Sequence, residues 1–357
     1  MNFLLLIFIP VVVSIVAFFL LKATITTKEF LLQISVGVIV VVASWFIAKY
    51  AAVSDTEHLN GRITQKVHGT QKCCHCHDEC DAKDKDGKCT RSHEECSHAT
   101  DYYWNLKTSV GTIDVEDCSG WDSTPDVWAQ ARVGEPAVVS HIYQNFLLAD
   151  PESLFVHKDM GKFLGSIPKY PKIYNLYKVN HVIGLNVPVP TGWQDFFREL
   201  NADFGATKQV DVTVVLTTIN DPTYAQALEA KWLYGPKNSI TIVIGVDGQT
   251  IKWVRVVTIS RVEDLKVHLR DNLQTLDLND PKVLDVIRQG IVQEFHRTPM
   301  SEFAYLMDAA QPTGGTLALL VVIQLLVSIG LTVLMHKKDV FGEERQRRMW
   351  SRRIRSC

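Results

Sequence analysis

The sequence predicts an α+β membrane protein: three transmembrane helices, a Cys-rich β-containing segment and an α/β sandwich in one extramembrane domain. Three observations carry this. Three apolar runs, residues 3–21, 30–48 and 317–335, each approach the ~20 residues that cross a bilayer as a helix. A long polar stretch, 51–312, separates the second run from the third. Seven of the eight cysteines fall in that stretch, most of them just inside the second run.

The first run lacks a basic leader, and Lys22-Ala23-Thr24 after it makes an indifferent cleavage site, so it reads as a retained span rather than a signal peptide. Pro10 lies within it; lipid tolerates Pro where neighbouring helices satisfy the freed carbonyl. Gln324 sits mid-span in the third run. It can bond across helices to Gln33, Ser35 or Ser44, or pair with its own backbone. No Asp, Glu, Lys or Arg sits in mid-span, which argues against a transporter or proton pump.

Charge assigns the sides. The tail 336–357 holds eight Lys or Arg against three Asp or Glu, a net +5. The link between the first two runs carries Lys22, Lys28 and Glu29, a net +1. With −2 over the whole chain, the remainder is left at −8. Short basic segments stay cytoplasmic. Three crossings put link and tail inside and leave the N-terminus and the bulk of the chain extracytoplasmic. The segments are then 1–50 (two spans), 51–100 (Cys/His-rich), 101–190 (β-rich and aromatic, with a linker), 191–312 (α/β), 313–336 (third span) and 337–357 (basic cytoplasmic tail).

The Cys/His segment reads Cys73-Cys74-His75-Cys76-His77-Asp78-Glu79-Cys80, then Cys89, His93, Cys96 and His98, with Cys118 further on. From His68 to His98 it has almost no Leu, Ile, Val or Phe, so it cannot bury a core and needs staples. An oxidising compartment makes Cys73, Cys74, Cys76, Cys80, Cys89, Cys96 and Cys118 disulfide candidates. Seven is odd, so one thiol is left free, metal-bound or paired between chains. The competing reading is a zinc site drawn from Cys73, Cys76, Cys80, Cys89, His93 and Cys96, because Cys-x-x-Cys spacing beside His suits tetrahedral zinc. Disulfides are preferred, with no cofactor and zinc as the alternative. Asp84-Lys85-Asp86-Gly87 reads as a charged turn, since a calcium loop in that register would put Ala82 at its first ligand position.

Residues 108–115 alternate with period two and Glu135 to Tyr143 forms a second strand pattern. Trp104, Trp121, Trp128, Tyr102, Tyr103 and Tyr143 read as core and half-buried sheet rather than a recognition surface. Residues 164–190, rich in Tyr and Pro, read as irregular. Beyond them Trp193, Phe196, Phe197 and Leu200 share one helical face. Strand, helix, strand, Asp247-Gly248 turn, strand and two helices follow, the last with Pro281 near its start.

Val212 to Leu216, Tyr224-Ala225, Lys231-Trp232-Leu233-Tyr234-Gly235, Asn238 to Val246 and the closing helices to Phe295 give residues of about 205–296 an order that resembles the TPM domain. That resemblance implies an α/β sandwich followed by a membrane helix. The family commonly places Asp-Asn-Gly before its second strand, at an acidic, metal-associated site; here the chain reads Lys237-Asn238-Ser239. The missing acid withholds the phosphatase activity known for some members. The aromatic stretch 101–155 is also similar to membrane proteins of large tailed bacteriophages, which implies no mechanism.

No phosphate-binding Gly-rich loop, Gly-x-Ser-x-Gly elbow or His-Glu-x-x-His helix is present. The outer stretch has no Asn-x-Ser/Thr sequon. The tail, with Met349, Trp350 and Ile354 among its arginines, suits a topology anchor first, an anionic leaflet second and nucleic acid last. The sum is a non-enzymatic envelope protein that contacts the lipid bilayer and binds a protein partner or itself. The alternative is a metal-dependent hydrolase, TPM-like or zinc-based.

Overall fold

The computed structural model describes residues 3–21, 25–150, 160–163, 165–233, 235–274 and 276–337. These divide into two compact units, one of residues 1–54, 146–150 and 304–357, the other of 55–145 and 151–303. The basic tail beyond Lys337, Cys357 and Lys22-Ala23-Thr24 lie outside the described residues.

The first unit is helical. α1 (Phe3–Leu20) is unbroken through Pro10, and α2 (Thr27–Ala52) starts on a capping box. Thr26 Oγ1 accepts from the Glu29 N–H at 3.3 Å, and the Glu29 carboxylate accepts from the Thr26 N–H at 2.8 Å. Gly37 lets the two helices close: a Cβ there would fall 2.5 Å from Pro10 Cβ. The C-terminal helix, Gly314–Lys337, joins them. Gln33 donates to Thr332 Oγ1 at 2.7 Å and to the Ser328 carbonyl at 3.2 Å. Gln324 donates to Ser44 Oγ at 3.3 Å, one of its three expected partners. Leu6, Val41, Ala48 and Leu320 are buried between the helices, while Phe8, Phe19, Ile39, Ile47 and Leu326 face outward. By length and composition α2 and Gly314–Lys337 can each cross a membrane. α1 is shorter; its 18 residues rise about 27 Å.

The second unit holds two four-stranded sheets and a two-stranded hairpin. Its first strand, β1 (Ser54–Lys72), departs from the sequence expectation, which makes this stretch part of the Cys/His segment without a strand. β2 (Cys76–Lys83) and β3 (Cys89–Cys96) form the hairpin. β4 (Thr100–Thr108) and β5 (Gly111–Ser119) follow, then the short α3 (Asp126–Gln130) and β6 (Pro136–Gln144). The first sheet runs β5-β4-β1-β6. The alternating stretch 108–115 is therefore not one strand: Thr108 pairs with Gly111 and the chain turns at Ser109-Val110. Ile63, Leu106, Ile113, Ala137 and Tyr177 form this sheet's core. Trp104 and Tyr143 are buried and Trp128, Tyr102 and Tyr103 half-buried, whereas Trp121 is 81% exposed.

The second sheet runs β10-β9-β8-β7. Its edge strand β7 (Val182–Leu185) lies inside the stretch expected to be irregular; it is only four residues long and lacks a period to read. α4 (Trp193–Lys208) crosses to β8 (Asp211–Thr217), and α5 (Tyr224–Trp232) crosses to β9 (Ser239–Asp247). Both crossovers give parallel pairs. The hairpin to β10 (Thr250–Val257) turns at Gly248, whose φ of 61° suits Gly. α6 (Glu263–Leu273) and α7 (Lys282–Glu294), capped by Pro281, complete the layers. Phe197, Leu200, Leu265, Leu269 and Ile287 bury one face of the sheet, against Val212, Val214, Ile242 and Ile244. Tyr224, Ala227 and Leu228 of α5 bury the other, against Val215 and Val243. β8 and most of β9 are buried on both sides, which is why they read as continuous apolar runs.

Candidate functional site

Two polar clusters stand out in the second unit. One is at the base of the hairpin and one is buried where β1 meets β8.

The β2–β3 hairpin has no buried residue, and a lone two-stranded ribbon is marginal in water. Disulfides replace the missing core. Cys76–Cys96 closes the open end, Cys80–Cys89 lies near the tip, and Cys74–Cys118 ties the base to β5. At the tip Asp84 Oδ1 accepts from the N–H groups of Asp86 and Lys88, both at 2.9 Å, and Gly87 takes a φ of 81°. The Asp84-Lys85-Asp86-Gly87 stretch is thus a self-bonded charged turn. The hairpin's surface mixes both signs: Lys72 bonds Glu94 at 2.6 Å, and His93 Nδ1 lies 2.7 Å from Asp81.

Of the residues in the alternative zinc set, Cys76, Cys80, Cys89 and Cys96 are spent in disulfides. His93 pairs with Asp81 on the exposed ribbon. Cys73 alone keeps a free thiol among the described residues, and it is only 6% exposed. Besides Cys76 and Cys96, now joined in a bridge, Cys73 has neighbours its spacing did not suggest. The Cys73 Sγ, one ring nitrogen each of His75 and His98, and an Asp101 carboxylate oxygen all lie within 4.8 Å of one another. Asp101, at the start of β4, is wholly buried. It accepts from the Cys74 N–H at 2.6 Å, touches His98 Nε2, and lies 3.5 Å from His75 Nδ1. Burial pushes its carboxyl up, but the Cys74 N–H and the two imidazoles outweigh that and hold it below the ordinary carboxylate range. Asp101 lies three residues beyond His98, the last Cys or His of the segment, so the Cys/His pattern carries no signal for it.

The second cluster centres on Asp211, the first residue of β8, which is fully buried. Asn60 of β1 donates to Asp211 Oδ1 at 3.0 Å and the Tyr170 hydroxyl donates to Oδ2 at 3.1 Å. His58 Nδ1 and His181 Nδ1 flank the carboxylate, each at 3.5 Å. Asn238, in the stretch that departs from the TPM pattern, donates to the His58 carbonyl at 2.6 Å. His181 lines a cleft of about 220 Å³, and His58 lines a wider groove of about 730 Å³. Burial lowers the His181 ring to about 4 despite the adjacent carboxylate. Burial would raise Asp211, but His58, His181 and Asn60 hold it low. Nearby, Glu57 Oε1 takes Lys237 Nζ at 3.0 Å and His141 Nδ1 at 2.8 Å. Both Asp211 oxygens accept hydrogen bonds from β1 and Tyr170, so the cluster pins the first sheet to the second. Sequence patterns miss it because its residues are scattered over 180 positions of separation, as between His58 and Asn238.

Searches against family models, curated proteins and solved structures return no match for this chain.

Proposed function

We propose that the protein is an integral membrane protein, multi-pass and with three spans, whose bulk is extracytoplasmic and acts as a non-enzymatic binding or assembly module of the cell envelope. The observation that carries this is the stapled hairpin: a wholly surface ribbon, held by two disulfides of its own and anchored by a third. The hairpin adds no apolar core of its own to the fold. Its rigidity suits presentation, because ordering costs are met before a partner arrives. Trp121, 81% exposed and three residues past the anchored Cys118, is the residue type that dominates binding hot spots. Disulfides and a net −8 remainder, opposite a basic link, favour the extracytoplasmic side.

The hydrolase alternative is weaker on the second sheet. Asp211 is the buried carboxylate there, and both its oxygens are engaged. The TPM resemblance remains a proposal about ancestry, resting on the order of strands and helices in 205–296.

The test is cross-linking of the full-length protein in its native membrane, comparing wild type with Trp121→Ala and with an Asp84→Ala/Lys85→Ala/Lys88→Ala hairpin variant. The reading expects a discrete cross-linked species, either a self-adduct or one defined partner. Both variants should weaken it at unchanged expression and with unchanged disulfides. A wild-type protein that cross-links to nothing, or an adduct that neither variant alters, would overturn it.

A further inference from the structure

We infer that Cys73, His75, His98 and Asp101 form a mononuclear zinc(II) site at the base of the hairpin. The ligand set differs from any that the Cys spacing suggests, and it coexists with the three disulfides rather than competing with them.

The chemistry of the four donors is the first argument. One thiolate, two imidazoles and one carboxylate are the donors zinc takes, and four is the number a closed tetrahedral site needs. With bonds of about 2.0–2.3 Å, tetrahedral geometry separates neighbouring donors by roughly 3.5 Å. The four donor atoms here already lie within 4.8 Å of one another. His75 Nδ1 and Asp101 Oδ2 are 3.5 Å apart. Modest opening of the His98–Asp101 contact would admit the ion.

Supporting groups give the second argument. Asp101 is oriented by the Cys74 N–H at 2.6 Å. Ser97 Oγ lies 3.2 Å from His98 Nδ1 and donates to the His75 carbonyl at 3.3 Å. That contact holds the outer ring nitrogen of His98 and turns Nε2 inward, the arrangement metal-bound histidines share. The Cys74–Cys118 bridge fixes the backbone between two of the donors.

The free thiol is the third and independent argument. Cys73 is more than nine-tenths buried, and its sulfur lies within 4.8 Å of both sulfurs of the Cys76–Cys96 bridge. A bare thiolate so placed would attack that bridge and scramble the hairpin. Coordination occupies the sulfur lone pair and removes the hazard. The proton leaves the thiol for solvent on binding, and no electrons move, so the three disulfides stay oxidised. An ion pair between Asp101 and the imidazoles explains three of the four residues and leaves the thiol without a role.

The experiment uses the full chain in detergent. It is stripped with a chelator under non-reducing conditions, then titrated with zinc(II) and, separately, cobalt(II). The expected result is one equivalent bound. The cobalt form should show a thiolate-to-metal charge-transfer band and the intense visible absorption of tetrahedral cobalt. Cys73→Ser should abolish the charge-transfer band. His75→Ala, at a side chain 56% exposed that is not needed for packing, should weaken zinc by ~100-fold or more. Zinc should also slow alkylation of Cys73 and suppress disulfide scrambling seen by peptide mapping after chelation. Cys80→Ser/Cys89→Ser, remote from the donors, should bind as wild type, which separates ligand loss from loss of the hairpin. Absence of stoichiometric metal, or binding that His75→Ala and Cys73→Ser leave unchanged, would overturn the site. The binding-module reading would survive that outcome, because it rests on the hairpin surface and its cross-links.

Discussion

His181 is a buried imidazole that stays neutral beside a carboxylate, and this sets an acid limit on the fold. Burial lowers its ring to about 4, whereas an unfolded histidine titrates near 6.5. Between those values the unfolded chain binds a proton that the native chain refuses. Stability therefore falls as pH drops from about 6.5 toward about 4, by on the order of 3 kcal/mol at most. Asp211, held below its ordinary range, adds a loss of the same sign at lower pH. Urea midpoints followed by tryptophan fluorescence should fall between about pH 7 and about pH 4.5 in the wild type. His181→Gln should flatten that fall; parallel curves would mean that another group carries it. Asn201 makes a second residue-scale prediction. Its side chain accepts from the Val212 N–H at 2.7 Å and donates to the Val212 carbonyl at 2.9 Å. β7 pairs with β8 only from Val214 onward, so the asparagine takes the place of a missing neighbour strand. Asn201→Leu keeps the branching of the side chain but strands both backbone groups, which should cost about 2–4 kcal/mol in the same urea assay. A change below about 0.5 kcal/mol would show that water or a shifted strand satisfies them.

Elements differ in how much of their stability is local, and the disulfides expose that difference. Cys74–Cys118 spans 44 residues and Cys80–Cys89 spans 9. Chain-closure entropy assigns them about 4 and about 2.6 kcal/mol. Cys74→Ser/Cys118→Ser should therefore lower the thermal midpoint more than Cys80→Ser/Cys89→Ser; the reverse order would mean that hairpin strain, not closure, dominates. The same contrast explains what the sequence could reveal. α4 to α7 and β8 to β10 were legible because their packing is apolar and periodic: Phe197 and Leu200 share a helix face, and β8 is buried throughout. β1 was illegible because, Ile63 apart, the residues it buries are Glu57, His58, Asn60 and Gly61, and ion pairs and side-chain hydrogen bonds around them leave no hydrophobic period. The β4–β5 turn at Ser109-Val110 carries no Gly, Pro or Asn within it, so the alternation ran through it unbroken. Of the metal candidate, the odd thiol could be anticipated from the count of seven, and His75 and His98 stood inside the cysteine segment. Asp101 could not be anticipated: it becomes a neighbour only when β4 pairs Thr100 with Lys72.

At the scale of the whole molecule, the placement of charge argues for one topology, which labelling tests. If α2 and Gly314–Lys337 cross the bilayer, a cytoplasmic link and tail put the polar stretch between them outside, whatever α1 does. The role of α1 is then visible only at its start. As a third span it carries the N-terminus outside; as a helix packed against the other two within the cytoplasmic half, it leaves the N-terminus inside. Three features favour the span. Its 18 residues reach about 27 Å, close to the hydrocarbon thickness. Phe8, Val12 and Phe19 point away from the helical core, as lipid-facing side chains of a span do. Pro10 meets Gly37 near the middle of both helices, a close contact that fixes them side by side along their length. The predicted outcome is that Asn2→Cys, in a chain with Cys73→Ser and Cys357→Ser so that no other free thiol competes, reacts with a membrane-impermeant maleimide on intact cells or spheroplasts. A cysteine restored at position 357 should react only after the membrane is opened, which controls for leakage. Labelling of both positions only after lysis would reduce the molecule to two spans with α1 inside, and would leave the argument from the basic link and tail as it stands.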